Sequence, residues 1–310
     1  MVNTKEIKSV KLAPFTLMTS SINAIIAFIV GILMFIAFGT MAAFIPQFQA
    51  IGAFFTAAGA ALIIIYPLSA FFITLAFSFF SALLYNGLVP RLGGVKLGLE
   101  GNEVTHVPVV PFALILSAIM AIWTFIFGVF ATAAVEPFIA GASKAIPVIS
   151  HAIANATNAT HAAMPTGAFL GLGGLFLAIF FIIILPLIVF IAGFIVHALI
   201  AIFYNYIATR AAKVQLNFTS TAGKWFDLTS IPVVPAALAV AIAVTIFAFI
   251  FSVIPQTVQV SYHYGAVAAI GTLIGGTIGY FLEYFIGTAL FAIFYNALAP
   301  RIGAVKLELE

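Results

Sequence analysis

Long apolar stretches separated by short polar segments run through the whole sequence, and they come in pairs. Each stretch can cross a hydrocarbon core of about 30 Å, which requires about 20 apolar residues in a helix. The pattern therefore predicts an all-α polytopic membrane protein with six transmembrane helices, a helix A and a helix B in each of three pairs. Helix A is expected at about residues 15–40, 111–133 and 233–254, and helix B at about residues 64–88, 178–208 and 272–299.

Short segments outside the helices alternate apolar and polar residues with a period of two, which is typical of β-strands. Residues 95–100 read VKLGLE and residues 305–310 read VKLELE. The turn sequence EGNE at 100–103 leads into another alternating segment at 104–107. We expect these segments to form one small cytoplasmic sheet or barrel, in which the C-terminal strand pairs near residues 7–12.

The end of helix B and the strand after it occur three times and align without a gap. The copies are LLYNGLVPRLGGVKLGLE at 83–100, IFYNYIATRAAKVQLNF at 202–218 and IFYNALAPRIGAVKLELE at 293–310. A proline marker precedes each helix A, and its copies are VKLAP at 10–14, VPVVP at 107–111 and IPVVP at 231–235. A repeat of this kind decides the architecture. The chain is interpreted as three tandem two-helix repeats, at 1–100, 101–219 and 220–310, which form one membrane domain with pseudo-threefold symmetry.

Composition supports membrane insertion, since 65% of the residues are hydrophobic and 6% are charged. A soluble domain carries about 25% charged residues. The absence of cysteine excludes disulfides, thiolate metal sites and cysteine nucleophiles. The net charge of +3 does not indicate nucleic-acid binding, because the basic residues are confined to particular loops.

The basic residues predict the orientation. Among the eleven, only Lys144 lies on the face opposite the termini and the linkers between repeats. The positive-inside rule therefore places both termini and the linkers between repeats in the cytoplasm. We expect the protein to be integral to the plasma membrane. The basic residues on the cytoplasmic face are Lys5, Lys8, Lys11, Arg91, Lys96, Arg210, Lys213, Lys224, Arg301 and Lys306.

The outer connections are almost uncharged, and the longest is predicted as an extracytoplasmic loop at 134–165. Asn155 and Asn158 begin two adjacent sequons there and are candidate glycosylation sites. Pro67 and Pro186 lie at equivalent positions in helix B and are expected to kink or break it. Residues 48–65 and 136–155 are then expected to be separate short helices, re-entrant or lying on the outer surface.

The endings also resemble a known family. Tyr85-Asn86, followed by Gly93-Gly94 and an alternating strand, is similar to a two-span actinobacterial transmembrane domain family of unknown function. Members of that family end their second helix with Tyr-Asn and continue into Gly-Gly and a strand. The third repeat has Gly303-Ala304 at this place, and the second departs from the pattern with Ala212-Lys213. The resemblance implies a two-helix unit repeated three times, and it implies no activity.

Helix B carries a stripe of small and polar residues at i, i+4 spacing, which places them on one helix face. Either the stripe packs helices together, or it lines a pore on the pseudo-threefold axis. The equivalent layers, from the membrane interior toward the cytoplasm, are Thr74/Gly193/Tyr284, Ser78/His197/Thr288, Ala82/Ala201/Ala292 and Asn86/Asn205/Asn296.

Two ionisable residues lie within the predicted spans. His197 has no acidic partner at ligand spacing, so a metal or haem site is disfavoured. His197 is either a functional intramembrane residue or a neutral histidine hydrogen-bonded to a neighbouring residue. Glu283 is the intramembrane acid, and it lies off the stripe. It is either protonated and bonded to helix A, or it binds a proton or contacts a partner subunit.

The repeated endings have a structural interpretation. The tyrosines are expected as anchors at the membrane interface, the asparagines bond a turn, and the arginines meet lipid phosphates or the helix C-terminus. Glycines 271, 275 and 279 form a tandem GxxxG pattern that indicates close helix packing. The anchors are Tyr85, Tyr204, Tyr295, Arg91, Arg210 and Arg301.

None of the nucleotide-binding, zinc-protease or serine-hydrolase motifs that we sought is present, so we expect no enzyme and no cofactor. Two functions remain. The first is a non-catalytic accessory or scaffolding subunit of a larger membrane assembly, with the bilayer and other subunits or further copies as partners and no nucleic acid. The second is a pseudo-trimeric channel or transporter along the axis lined by the Ser78 and Asn86 layers.

Overall fold

The structure, a computed structural model, describes residues 3–44, 49–157 and 174–310. Helices predominate, and short strands join their ends. The helices are α1 Leu12–Phe44, α2 Gln49–Leu92, α3 Val109–Thr157, α4 Leu185–Phe203, α5 Val233–Ala248 and α6 Ile254–Ile302. The strands are β1 Asn3–Val10, β2 Lys96–Glu100, β3 Glu103–His106, β4 Asn217–Ala222, β5 Trp225–Ser230 and β6 Val305–Leu309.

Five helical stretches of the described chain are long and apolar enough to cross a membrane. This result confirms the expectation of a helical membrane protein. The fifth stretch is 70 residues long, about 105 Å if it were straight, which exceeds the core of one bilayer several times. The stretches are Leu12–Ala37, Leu62–Leu92, Val109–Ala134, Gly174–Ala211 and Val233–Ile302.

Gly265 interrupts the longest stretch. Its φ of 82° is in the left-handed region that favours glycine, and the backbone there is not helical. Val253 and Gly276 would be about 35 Å apart on a straight helix, yet a Cβ added to Gly276 would contact the Val253 side chain at 3.4 Å. The chain therefore reverses at Gly265, and the two arms of the hairpin pack against each other.

The other helices also fold back on one another. Asn23 Nδ2 in α1 donates to Thr74 Oγ1 in α2 at 2.5 Å. A Cβ added to Gly128 in α3 would collide with the backbone carbonyl of Phe181, so this glycine permits close helix contact. Phe181 belongs to a π-helical turn, Phe180–Ile184, directly before α4. Pro186 follows that turn, which accommodates the missing N–H of proline.

The chain divides into two compact units. One unit comprises Met1–Ile115 and Ala198–Glu310, and it contains α1, α2, the sheet, α5 and α6. The other comprises Leu116–His197, with most of α3 and of α4.

Two expectations about the helix ends are wrong. The separate helix expected at 48–65 is not present over residues 49–65, because α2 continues from Gln49 through Pro67 to Leu92. Residues 136–155 are likewise part of α3, which remains helical to Thr157 in the segment expected to be a loop. Both segments are rich in alanine, the strongest helix former, and this local propensity extends the helices. Residues 158–165 of the expected loop lie outside the described residues.

The strands form one antiparallel sheet in the order β3-β2-β1-β6-β5-β4. The C-terminal strand β6 pairs with β1, with Ile7 opposite Leu309 and Val10 opposite Leu307. The segment just before β4 bonds the free edge of β3, through Val104 N to Val214 O and Leu216 N to Asn102 O, both at 2.8 Å. The sheet is therefore closed into a ring, and its location on the cytoplasmic side stays a prediction.

The inner surface of the ring is apolar. Leu97, Leu99 and Val104 pack with Tyr204 in one buried cluster, and the alternating residues of β6 pack with Met18 and Ile22 of α1 in another. Charged side chains outside these clusters form ion pairs, Lys8–Glu6 within β1 and the others between neighbouring segments of the sheet and its turns. The ion pairs are Lys8–Glu6 at 3.1 Å, Lys96–Glu6 at 3.8 Å, Lys213–Glu103 at 2.8 Å, Lys306–Asp227 at 3.7 Å, Lys8–Glu310 at 3.8 Å and Lys224–Glu310.

These pairs predict that acid destabilises the sheet. Burial acts to raise the pKa of Glu6, but the Gly94 N–H and the charges of Lys8 and Lys96 outweigh it and lower that pKa below its ordinary value of 4.5. Hydrogen bonds from Lys213 and Lys224 lower the pKa of Glu103 and Glu310. A depressed pKa contributes stability above the unfolded value, and this stability is lost as pH falls through the folded value.

We therefore expect a melting temperature in detergent that is constant from about pH 8 to pH 5.5 and falls below about pH 4.5. The triple variant Glu6→Gln, Glu103→Gln, Glu310→Gln, melted over the same range, is expected to show a shallower fall. A wild-type melting temperature that stays constant down to about pH 3 would contradict this prediction.

Candidate functional site

The tyrosine at the end of each predicted helix B connects two segments of the sheet. The Tyr85 hydroxyl donates to the Ile7 carbonyl at 2.6 Å and accepts from the Val95 N–H at 3.0 Å. It thus extends the pairing of β1 with β2 by one side-chain bridge. The tyrosine is 8% exposed, so its hydroxyl satisfies two backbone groups that have little access to water.

The asparagine next to it holds the start of helix A. Asn86 Oδ1 accepts from the Val10 N–H at 2.8 Å, and Asn86 Nδ2 donates to the Val10 carbonyl at 2.9 Å. Val10 is the first residue of the proline marker, where the strand ends and α1 is about to begin. One side-chain amide therefore pairs with both backbone groups of a residue at the strand-to-helix transition.

The same two side chains make the same bonds at the other two endings. Tyr204 bridges Val104 and Val214, and Asn205 pairs with both backbone groups of Val107 at 2.8 Å. Tyr295 bridges Leu228 and Val305, and Asn296 pairs with Ile231 at 2.8 Å. In each case the tyrosine lies ten residues before the valine whose N–H donates to its hydroxyl. We call these three arrangements the Tyr-Asn clamps.

An acidic residue accompanies each clamp. Glu6, Glu103 and Asp227 directly precede the residues whose carbonyls accept the tyrosine hydroxyls. Each faces the strand that the tyrosine bonds. Glu6 accepts from Gly94 N at 2.7 Å, Glu103 pairs with Lys213 at 2.8 Å, and Asp227 lies 3.7 Å from Lys306.

Gly94 explains the glycine pair of the first ending. A Cβ at this position would collide with the Ile7 carbonyl oxygen, the same oxygen that accepts the Tyr85 hydroxyl. Gly93 has a φ of 82°, which turns the chain from α2 toward β2. The second ending carries Ala212-Lys213 at this place, and Lys213 pairs there with Glu103.

The predicted anchor residues lie in two environments, the tyrosines buried and the arginines exposed. The tyrosines expected as interface anchors bond backbone in the protein interior, with exposures of 8%, 7% and 2% for Tyr85, Tyr204 and Tyr295. Arg91, Arg210 and Arg301 are exposed at the ends of their helices. Asn158 and the side chain of Asn155 lie outside what the structure describes.

The Ser78/His197/Thr288 layer of the stripe takes no part in the hydrogen bonds of the clamps. Ser78 is buried and donates to the Thr74 carbonyl one turn earlier, at 2.6 Å. His197 Nδ1 lies 2.7 Å from the Gly193 carbonyl. Ser78 and Thr288 belong to one compact unit and His197 to the other, so a shared layer stays a prediction.

The outer face of α6 carries the intramembrane acid. Glu283 is exposed, and it lies in an i, i+4 series with Gly271, Gly275, Gly279 and Gly287. A Cβ added to any of these glycines would meet no atom of the described residues within 4 Å. A shallow groove of about 410 Å³ runs beside them and is lined by Glu283, Tyr284, Gly287, Thr288 and Phe291.

Among the described residues no group of three or more His, Asp or Glu side chains is placed to hold a metal ion. Comparison of the chain with protein-family models, with curated proteins and with solved structures found no match. The similarity of the repeat endings to the two-span actinobacterial domain family therefore stays a prediction.

Sequence reasoning found the tyrosines and asparagines but missed their backbone partners. The constant ten-residue spacing from tyrosine to valine was visible in the aligned endings, and so was the acid four residues before each marker. Neither signal identifies the acceptor carbonyl, because that carbonyl lies 67 to 100 residues away along the chain.

Two neighbouring tyrosines give a matched test of the clamp. Tyr204→Phe leaves the Val104 carbonyl and the Val214 N–H without their partner, which is expected to cost about 1–3 kcal/mol of unfolding free energy. Tyr206→Phe, at a side chain that is 65% exposed, is expected to change it by less than about 0.5 kcal/mol. Denaturant unfolding in detergent measures both, and equal stability of the two variants would contradict a bonding role for Tyr204.

Proposed function

We propose that the chain is a six-span membrane protein built from three tandem two-helix repeats with pseudo-threefold symmetry. The support for three repeats is the three Tyr-Asn clamps, whose donors, acceptors and spacings match. The support for six spans is the reversal at Gly265, which divides the 70-residue stretch into two arms of sufficient length.

We further propose that the termini and the closed sheet face the cytoplasm of the cell that carries this protein in its plasma membrane. The basic residues outside Lys144 lie in the sheet or at the helix ends that adjoin it. Short segments rich in Lys and Arg next to spans are retained on the cytoplasmic side.

For its function, we propose a non-catalytic accessory or scaffolding subunit of a larger membrane assembly. The observation that carries this proposal is the exposed face of α6 around Glu283. A carboxylate in contact with lipid near the bilayer centre is costly, by about 2.5–3.5 kcal/mol on insertion scales. Gly271, Gly275, Gly279 and Gly287 leave space for another helix to approach closely.

The partner that fits this face is a transmembrane helix of another subunit that supplies a hydrogen-bond donor to Glu283. The small residues let its backbone come close, and the donor offsets the cost of the carboxylate. The apolar residues beside the stripe, such as Ile274 and Ile278, are about half exposed and add contact area.

The channel or transporter hypothesis has less support. The amides of Asn86, Asn205 and Asn296 each pair with two backbone groups, so few of their polar atoms are left for a passing ion. The sheet beside them has an apolar inner surface. Flux measurements on the reconstituted Asn205→Leu variant separate the two functions. If the variant folds less well but the folded fraction has unchanged permeability, Asn205 does not line a pore.

The first test of the accessory role is the mass and composition of the particle extracted from its native membrane in mild detergent. We expect a mass well above one 32.8 kDa chain, with other proteins present in fixed stoichiometry. Extraction of a lone chain would contradict the proposal.

Variants of α6 locate the contact. Gly275→Leu and Glu283→Leu are expected to lose the partner proteins while the melting temperature of the isolated chain stays unchanged, because a Cβ at Gly275 would meet no described atom within 4 Å and Glu283 is exposed. Ile274→Leu, which keeps the bulk of a side chain that is 55% exposed, is the matched control and is expected to retain them. Equal retention by all three variants would exclude this face as the contact.

A further inference from the structure

A groove of about 380 Å³ lies where the second helix B ends and α5 begins. Its polar side is formed by Thr209, Lys213 and Gln215, with the Glu103 carboxylate beside Lys213, and its apolar side by Val234, Pro235 and Leu238. The first three residues follow or end the span Gly174–Ala211, and the last three begin the span Val233–Ile302. The groove therefore changes from polar to apolar along the direction in which two spans enter the bilayer.

The basic side chains at this groove have hydrogen-bond donors that the protein itself does not occupy. Lys213 donates to Glu103 Oε2 at 2.8 Å, which occupies one of the three donors of its ammonium group. Arg210 stands between two lining residues, Thr209 and Ala211, and is exposed. It forms no ion pair among the described residues. Two free ammonium donors and a guanidinium fork thus border the polar side.

The second repeat differs from the other two at this point. Gly94 and Ala304 stand in the first and third repeats where Lys213 stands in the second. In the first repeat the backbone N–H of Gly94 takes the place of the lysine and bonds Glu6. Each ending has one lysine, and Lys96 and Lys306 stand where the second ending has Gln215. In the second ending alone the lysine stands two residues earlier, where it borders the groove.

We propose that this groove binds an anionic phospholipid, with the headgroup phosphate between Lys213 and Arg210 and an acyl chain along Val234 and Leu238. Arg and Lys are the side chains that bind phosphate oxygens, Arg as a fork and Lys as a point charge. Val234 is 57% exposed, so an acyl chain can cover it without any rearrangement of the helices. The inference rests on the proposed membrane insertion and is independent of the accessory role.

The test is the apparent dissociation constant of dioleoyl phosphatidylglycerol, measured by native mass spectrometry on the full chain in detergent. We expect wild type to bind it more tightly than dioleoyl phosphatidylcholine, and Arg210→Gln to weaken it about fivefold. The double variant Glu103→Gln, Lys213→Gln keeps a hydrogen-bonding pair while removing the cation, and it is expected to weaken binding by a similar factor.

Matched controls keep the proposal falsifiable. Arg91→Gln alters the equivalent arginine of the first repeat and is expected to leave phosphatidylglycerol binding unchanged, whereas Val234→Asp is expected to weaken it. Each variant is compared at equal melting temperature, so a loss of folding is detected separately. Equal effects of Arg91→Gln and Arg210→Gln, or equal binding of the two lipids, would overturn the proposal.

A soluble probe distinguishes a lipid from a free phosphate. Glycerol 3-phosphate carries the headgroup phosphate without acyl chains, and we expect it to bind far more weakly than phosphatidylglycerol. Binding of the two with equal affinity would overturn the lipid assignment and leave an anion site only.

Discussion

Each chain segment that leaves a membrane-spanning helix and enters the next must satisfy its backbone hydrogen-bonding groups at the transition, where strand pairing and helix bonds both end. The Tyr-Asn clamps meet this requirement with two adjacent side chains. At the end of α2 the Tyr85 hydroxyl joins β1 to β2, and the Asn86 amide pairs with Val10, just before α1 begins. Because one helix end carries both side chains, the end of helix B and the start of its own helix A are held together. The other edges of these strands pair with the strands of the other clamps, as β1 does with β6, and the sheet closes in this way.

The clamps also bear on where the protein can act. Most polar groups at the ends of the spans are bonded to the chain's own backbone, and the strand carboxylates are paired with lysines. Several polar groups in the spans or at their ends stay exposed, among them Glu283 on α6, Tyr206 and the arginines at the helix ends. An outward distribution suits a protein that is recognised by its membrane neighbours, whether helices or lipids. The proposed subunit contact and the proposed lipid groove use different outward surfaces of the same compact unit.

Much of this architecture follows from patterns along the chain. Hydropathy located the spans, alternation located β2, β3 and β6, and the aligned endings singled out Tyr85, Asn86 and their equivalents. The extents of α2 and α3 were wrong, because alanine-rich segments next to a span continue a helix when nothing stops them. The reversal at Gly265 lies in the connection expected between residues 254 and 272, although this glycine was not singled out. A single glycine in an apolar run carries no local signal that separates it from the other glycines of the run, such as Gly271.

The sequence by itself determined that the chain is apolar enough for a membrane, that helices dominate it, and that its three endings are equivalent. These properties depend on the composition and periodicity of neighbouring residues, which the sequence gives directly. Only the tertiary structure decided what the equivalent residues bond, which edges of the sheet meet, and which face of α6 stays uncovered. Those outcomes depend on contacts between residues separated by tens of positions, such as Asn205 with Val107, and chain order alone does not specify them.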